Sequence, residues 1–201
     1  MSGTSFVLCA SELELRARLV GIVRESKRLM STLVAARELG LASWCIGAGA
    51  VRNLVWDAIH DFEAPSPLSD VDLVYFDASN LKPERDVELQ EKLTMLLPGV
   101  PWEVTNQAAV HLWYGRVFGQ AAAPLASLEE GVASWPEYAT AVGVAIRADN
   151  SLQVIAPHGL QDLFAGLVRH NPARASISMY RERVACKRFS ERWPKVQIVQ
   201  A

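Results

Sequence analysis

The sequence lacks several features whose absence narrows what it can do. It has no disulfide framework and no zinc pattern. Its three cysteines, Cys9, Cys45 and Cys186, are odd in number, far apart and in no CxxC spacing. They are expected to be reduced thiols in a cytoplasmic protein. Positive charge is not in excess either. A formal net charge of −2 supplies no field for bulk capture of DNA, leaving only a local basic face open. No stretch approaches the roughly 18 unbroken apolar residues of a membrane helix, so no membrane partner is expected. Residues 1–10 carry one short apolar patch, Phe6-Val7-Leu8, without the basic region of a signal peptide. Low-complexity tracts and internal repeats are also missing. The four histidines, His60, His111, His158 and His170, show no metal-ligand spacing and are expected to be structural or on the surface. What remains is a chain of 201 residues, half of them hydrophobic, enough to close a core without staples.

Ser11-Glu12-Leu13-Glu14 has the spacing of a capping box. Behind it Leu15, Leu19, Ile22, Val23, Met30, Leu33 and Val34 recur at helical spacing, predicting one long amphipathic helix that stops at Gly40. Ser43-Trp44-Cys45-Ile46 reads as a short buried strand entering the turn Gly47-Ala48-Gly49-Ala50 and a second helix. Proline makes 61–69 a loop, and 70–76 is a β-branched and aromatic strand. Pro83 starts a helix over 84–97, and 102–105 gives a third strand. Weaker signals over 106–137 read as helix and loop. Strands at 140–147 and 152–155 flank a turn at Ala148-Asp149-Asn150-Ser151. Helices are predicted over 159–168 and 174–192, broken at Asn171-Pro172. The order implies an α/β (α+β) fold with a small mixed sheet flanked by helices. Residues 1–156 form its core and 157–201 a C-terminal helical element packed on it.

Asp70-Val71-Asp72 is the sharpest chemical feature. Residues i and i+2 of a strand share a face, with Cα atoms about 7 Å apart. Two such carboxylates can converge on hard cations, and magnesium accepts a site completed by water and phosphates. The plainer alternative is a loop cap at Asp70 and a solvent-facing Asp72. Small residues at Gly47 and Gly49 let backbone N–H groups approach phosphate, although tight strand–helix packing explains them equally well. The turn has neither the lysine and hydroxyl of a Walker loop nor the last glycine of a dinucleotide fingerprint, where Arg52 stands. Arg52 and Asn53 reach a phosphate or base, or else are ordinary solvated helix residues. Glu103, in Trp102-Glu103-Val104-Thr105, is an acid among apolar neighbours and needs a reason to be there. Near the C-terminus Tyr180, Arg183 and Lys187 share a helix face, with Arg181 and Arg188 beside it. That stripe grips a triphosphate or an RNA acceptor, with Tyr180 stacking on a base, or it is simply a solvated basic face. Arg169 and His170 are a weaker version of the same idea. Most of the six tryptophans belong in the core, with one available to stack a nucleobase.

Strand, glycine-containing turn, helix, Asp-x-Asp strand and a later acid together resemble the core of DNA polymerase β-type nucleotidyltransferases. The similarity is closer to a bacterial branch known simply as nucleotidyltransferase family proteins. It is carried by GAGAVRNLVWD (47–57), SDVDLVYFD (69–77), WEVTNQ (102–107), WPEYATAVGV (135–144) and APHGLQDLFAGLVRHNP (156–172). The resemblance spans roughly residues 15–194. It implies that Asp70, Asp72 and Glu103 hold Mg²⁺ or Mn²⁺ against an NTP, and that Glu103 shares the metal that activates the attacking hydroxyl. Phosphate binding would fall to Gly47, Gly49, Ala50, Arg52, Asn53, Arg183 and Lys187. Nucleoside monophosphate would pass to an acceptor hydroxyl on a small molecule, an RNA end or a protein side chain. Two departures stand out. The usual glycine-serine pair is Gly49-Ala50, without the phosphate-contacting hydroxyl, and the third acid is Glu103 where Asp is usual. A catalytically silent nucleotide-binding or regulatory module, or a toxin–antitoxin component, remains the alternative on the same fold.

Overall fold

The computed structural model describes residues 10–200; Cys9 and the apolar patch at 6–8 lie outside the described residues. Ser11 begins helix α1 (Glu12–Glu25). Its hydroxyl accepts from the Glu14 N–H while the Glu14 carboxylate accepts from the Ser11 N–H at 2.7 Å, the expected capping box. Leu15, Leu19 and Val23 form the buried face. The predicted single helix to Gly40 is corrected to two. Ser26, at ψ 96°, ends α1, and its side chain caps the Leu29 N–H to start α2 (Lys27–Arg37). A serine hydroxyl that bonds nearby backbone competes with helix continuation, which spacing alone does not reveal.

Next come β1 (Trp44–Gly47), α3 (Gly49–Ile59), β2 (Val71–Tyr75), α4 (Pro83–Leu96) and β3 (Trp102–Asn106). A short 3-10 turn (Gln107–Ala109) leads to α5 (Val110–Phe118) and α6 (Leu128–Ala133), then to the hairpin strands β4 (Gly143–Ile146) and β5 (Leu152–Ile155). The five strands form one mixed sheet in the order β3-β2-β1-β4-β5. Only β2 and β3 are parallel. The fold is thus a mixed α/β sheet flanked by helices, as expected. The outer N–H groups of edge strand β3 are not left bare. Val104 donates to Gln90 and Asn106 to Asp86, both on α4, which protects the edge from stray pairing.

The C-terminal part differs from the two predicted helices. Helix α7 (Gln161–Ala165) ends early at Gly166, φ +65°, where a left-handed residue releases the chain. Strand β6 (Leu167–Val168) then pairs in parallel with β7 (Gln197–Ile198). Helix α8 (Ile177–Lys187) is separated from α9 (Phe189–Arg192) by Arg188 at φ +50°. These elements share the main core. Trp56 on α3 donates to the Leu163 carbonyl at 3.0 Å and packs edge-on against Phe189 and Trp193. Cys45 is buried and Cys186 exposed, both as free thiols. No helix among the described residues is long and apolar enough to cross a membrane.

Candidate active site

In the parallel pair β2/β3, Asp72 lies opposite Glu103 and Val74 opposite Thr105. Strand alternation puts these four on one face, and all line a cleft of about 600 Å³. Asp70, just before β2, lines it too. Its Oδ2 accepts from the Ser69 hydroxyl at 2.9 Å, and its Oδ1 stands beside Gly49, where a Cβ would come within 3.7 Å. The loop that delivers Asp70 is fixed from below. Buried Asp57 accepts from the Ser66 N–H at 2.7 Å, the Ser66 hydroxyl at 2.6 Å and the Trp193 indole at 2.7 Å.

Asp72 feels both its burial and its acidic neighbours. Burial pushes the Asp72 carboxyl up to about 7, helped by the charges of Asp70 and Glu103 and opposed by Arg183 and Lys187. A donor set of carboxylate oxygens is hard and suits magnesium or manganese, and a cation would relieve that repulsion. The residues therefore fit such an ion, but not as a finished cage. Glu103 is exposed, and among the described residues no three His, Cys, Asp or Glu side chains are grouped to hold a metal. Water and phosphate oxygens would have to complete the shell.

Between β1 and α3 the backbone is strained. Ala48 sits at φ +49°, ψ −122°, a conformation costly for a residue with a Cβ. Ala48 and Gly49 bring the start of α3 into the cleft. Gly47 and Ala50 do not line it. Gly47 is required by packing instead: a Cβ there would meet the Trp135 ring at 2.6 Å and the Val142 carbonyl at 2.8 Å. Ala50 is buried and lines a separate cavity of about 370 Å³ between α3 and the junction of α1 and α2.

The basic residues are more deeply held than solvated helix residues would be. Arg52 is 3% and Asn53 4% exposed. One Arg52 Nη donates to Thr140 Oγ1 at 3.0 Å and the other to Asn53 Oδ1 at 2.9 Å. Its guanidinium lies over the Trp56 and Phe189 rings, and burial lowers its pKa to about 10. Arg183 reaches from α8 to Glu137, Nε to Oε1 at 2.6 Å. Both Arg183 and Lys187 line the cleft, and Lys187 forms no ion pair among the described residues. Tyr180, a candidate for base stacking, is corrected. It is 2% exposed, with its hydroxyl 2.8 and 3.0 Å from the Val168 and Val199 carbonyls. It ties α8 to β6 and to the chain after β7, away from the cleft lining. Arg188 is likewise drawn away, pairing with Glu191, and Arg169 pairs with Asp162. The rings of His60, His158 and His170 each sit against a backbone carbonyl.

Several residues at the cleft, or bonded to its lining, carry no local sequence signal of their own. Glu137 is fully buried. It stood inside the segment Trp135–Val144 that carries the family resemblance, which was the only signal available. Trp113, Tyr114 and Trp135 also line the cleft, whereas Trp44, Trp56, Trp102 and Trp193 are core.

A family model described as nucleotidyltransferase matches residues 34–198. Among solved structures, one described as revealing a CCA-adding enzyme head domain is 27% identical, with a TM-score of 0.75, over 92% of this chain and 96% of that chain. The Thermotoga maritima CCA-adding enzyme complexed with tRNA is 14% identical, with a TM-score of 0.54, over 92% of this chain and 42% of that one. A CCA-adding enzyme in complex with CTP is 14% identical, with a TM-score of 0.53, over 94% of this chain and 43% of that one. At these last identities the likeness is of fold alone, and this chain spans less than half of those longer enzymes. Comparison with curated proteins gives no match.

Proposed function

The chain belongs to a nucleotidyltransferase family, and on that premise we propose that it moves a nucleoside monophosphate from an NTP to an acceptor hydroxyl. The observation that carries this reading is the pairing of Asp72 with Glu103 across β2/β3, with Asp70 beside Gly49 and Arg183 and Lys187 in the same cleft. Asp70, Asp72 and Glu103 would hold magnesium or manganese. When bound, such ions supply charge neutralisation at the attacking and leaving oxygens of an in-line displacement. Arg183 and Lys187 orient the negatively charged phosphates, and the start of α3 adds backbone N–H groups at the same place. Most of the work assigned to the protein is positioning and charge complementarity. CCA-adding enzymes of this fold are solved with CTP, with ATP and with tRNA, which supports an NTP as donor here. The acceptor is a hydroxyl on a small molecule, an RNA end or a protein side chain.

One observation favours a second reading, a nucleotide-binding module without turnover: the acids are not grouped as a preformed metal centre among the described residues. Incubation with each α-labelled NTP, Mg²⁺ or Mn²⁺, total RNA and cell extract separates the two. Label transfer by the wild type that is lost in Asp70→Asn/Asp72→Asn is the expected result. Tight NTP binding with no transfer to any acceptor fraction selects the silent module.

A further inference from the structure

Among the described residues Glu137 is the least solvent-exposed charged side chain, at 0% exposure, on a segment without regular structure between α6 and β4. Such a carboxylate is costly unless compensated. Its compensation comes from Arg183, whose Nε donates to Oε1 at 2.6 Å, while Oε2 has no hydrogen-bond partner. The backbone around Glu137 is anchored to the chain that leads into α8. Glu137 forms a bridge with His170, the Tyr138 N–H donates to the Arg169 carbonyl, and the Asn171 N–H donates to the Pro136 carbonyl. Asn171 Nδ2 adds bonds to the Ala133 and Trp135 carbonyls at 2.6 and 2.8 Å. One short segment therefore fixes both the approach to α8 and the Arg183 side chain upon it.

The way Arg183 is held matters for what it can do. Glu137 takes the Nε hydrogen, so the two Nη groups are left over, without a hydrogen-bond partner among the described residues, on a side chain that lines the cleft. A guanidinium pinned at Nε and open at both Nη groups is a preorganised fork for two oxygens of an anion. Its side chain keeps 30% exposure, so the fork is reachable. Glu137 itself does not line the cleft. We infer that Glu137 is a positioning residue, which aims the Arg183 fork at the polyphosphate of the bound nucleotide. This rests on the transferase reading for the nature of the ligand.

A double-mutant cycle on the intact chain tests it, with Mg·CTP and inorganic tripolyphosphate as probes in calorimetry. Glu137→Gln removes the charge that pins Arg183, and Arg183→Lys keeps a positive charge but removes the fork. Each single change is expected to weaken tripolyphosphate and CTP about tenfold or more. The double variant is expected to bind no more weakly than the worse single one, because both changes delete the same contact. A purely structural Glu137 would not give that non-additivity. Wild-type affinity in folded Glu137→Gln, or losses that multiply in the double variant, overturns the inference. Should Glu137→Gln fail to fold, Arg183→Lys decides alone: wild-type affinity there overturns the inference, and a tenfold loss supports it. A wild type that binds neither probe overturns the transferase reading and this inference together. Wild-type binding with unaffected variants overturns only the inference.

Discussion

The two flanks of the cleft solve opposite electrostatic problems. On the β2/β3 flank Asp70, Asp72 and Glu103 crowd like charges together, and Asp72 is left with a carboxyl near 7. On the α3/α8 flank every deeply held cation already has protein partners: Thr140 and Asn53 for Arg52, Glu137 for Arg183. Among the described residues the acidic flank has no counter-charge bonded to it from the protein, whereas on the basic flank Arg52 and Arg183 are each fixed by a protein partner, with the Arg183 Nη groups left to face the cleft. Under the proposed function, a triphosphate arriving with divalent metal would complete one side and be held by the other.

Breaking the acidic flank should have the largest effect. Asp70→Asn/Asp72→Asn is expected to lower label transfer by about 1000-fold or more, the scale of lost charge stabilisation at a developing oxyanion, with the chain still folded by circular dichroism. Breaking the basic flank should instead cost stability. Arg183→Ala strands the buried Glu137 carboxylate and is expected to destabilise the protein by about 3 kcal/mol in urea unfolding, at the low end for a broken buried pair. Gly47→Ala sharpens the boundary between the turn and the cleft. Its Cβ would collide with Trp135 and the Val142 carbonyl, and the expected loss is about 2 kcal/mol in thermal unfolding.

The last effect is one of pH. Asp72 titrates near 7 in the folded chain against an ordinary 3.8. Between those values the native state therefore holds a proton that the unfolded chain has lost. Its contribution to stability is full below about 4 and is lost as pH rises through 7. In metal-free buffer the wild type should lose stability between pH 5 and pH 8 relative to Asp72→Asn, and Mg²⁺ with NTP should reverse the difference. Parallel pH series of chemical unfolding on the two proteins measure it.

The acidic flank was largely legible in the sequence because strand periodicity is local. Asp70 and Asp72 share a face by their spacing, and Glu103 stood out among apolar neighbours. The basic flank was legible only in part. Helical spacing grouped Tyr180, Arg183 and Lys187, but it does not say which side of α8 is buried, and Tyr180 turned inward. The partner of Arg183 lies 46 residues away, in a stretch without strong periodicity, and nothing local announces such a pair. Gly47 shows why sequence leaves both readings of the turn open, since a glycine that admits a tryptophan ring looks the same as one that admits a phosphate. The break at Ser26 leaves no mark in the periodicity, because the apolar pattern continues across it.

Whether Asp70, Asp72 and Glu103 hold divalent metal together with a nucleotide is read from manganese counted by electron paramagnetic resonance. Titrated in the presence of CTP, the wild type is predicted to take up Mn²⁺ beyond what CTP alone binds, and Asp70→Asn/Asp72→Asn is predicted to lose that uptake. Equal Mn²⁺ uptake by the two proteins would mean that Asp70 and Asp72 do not hold the metal.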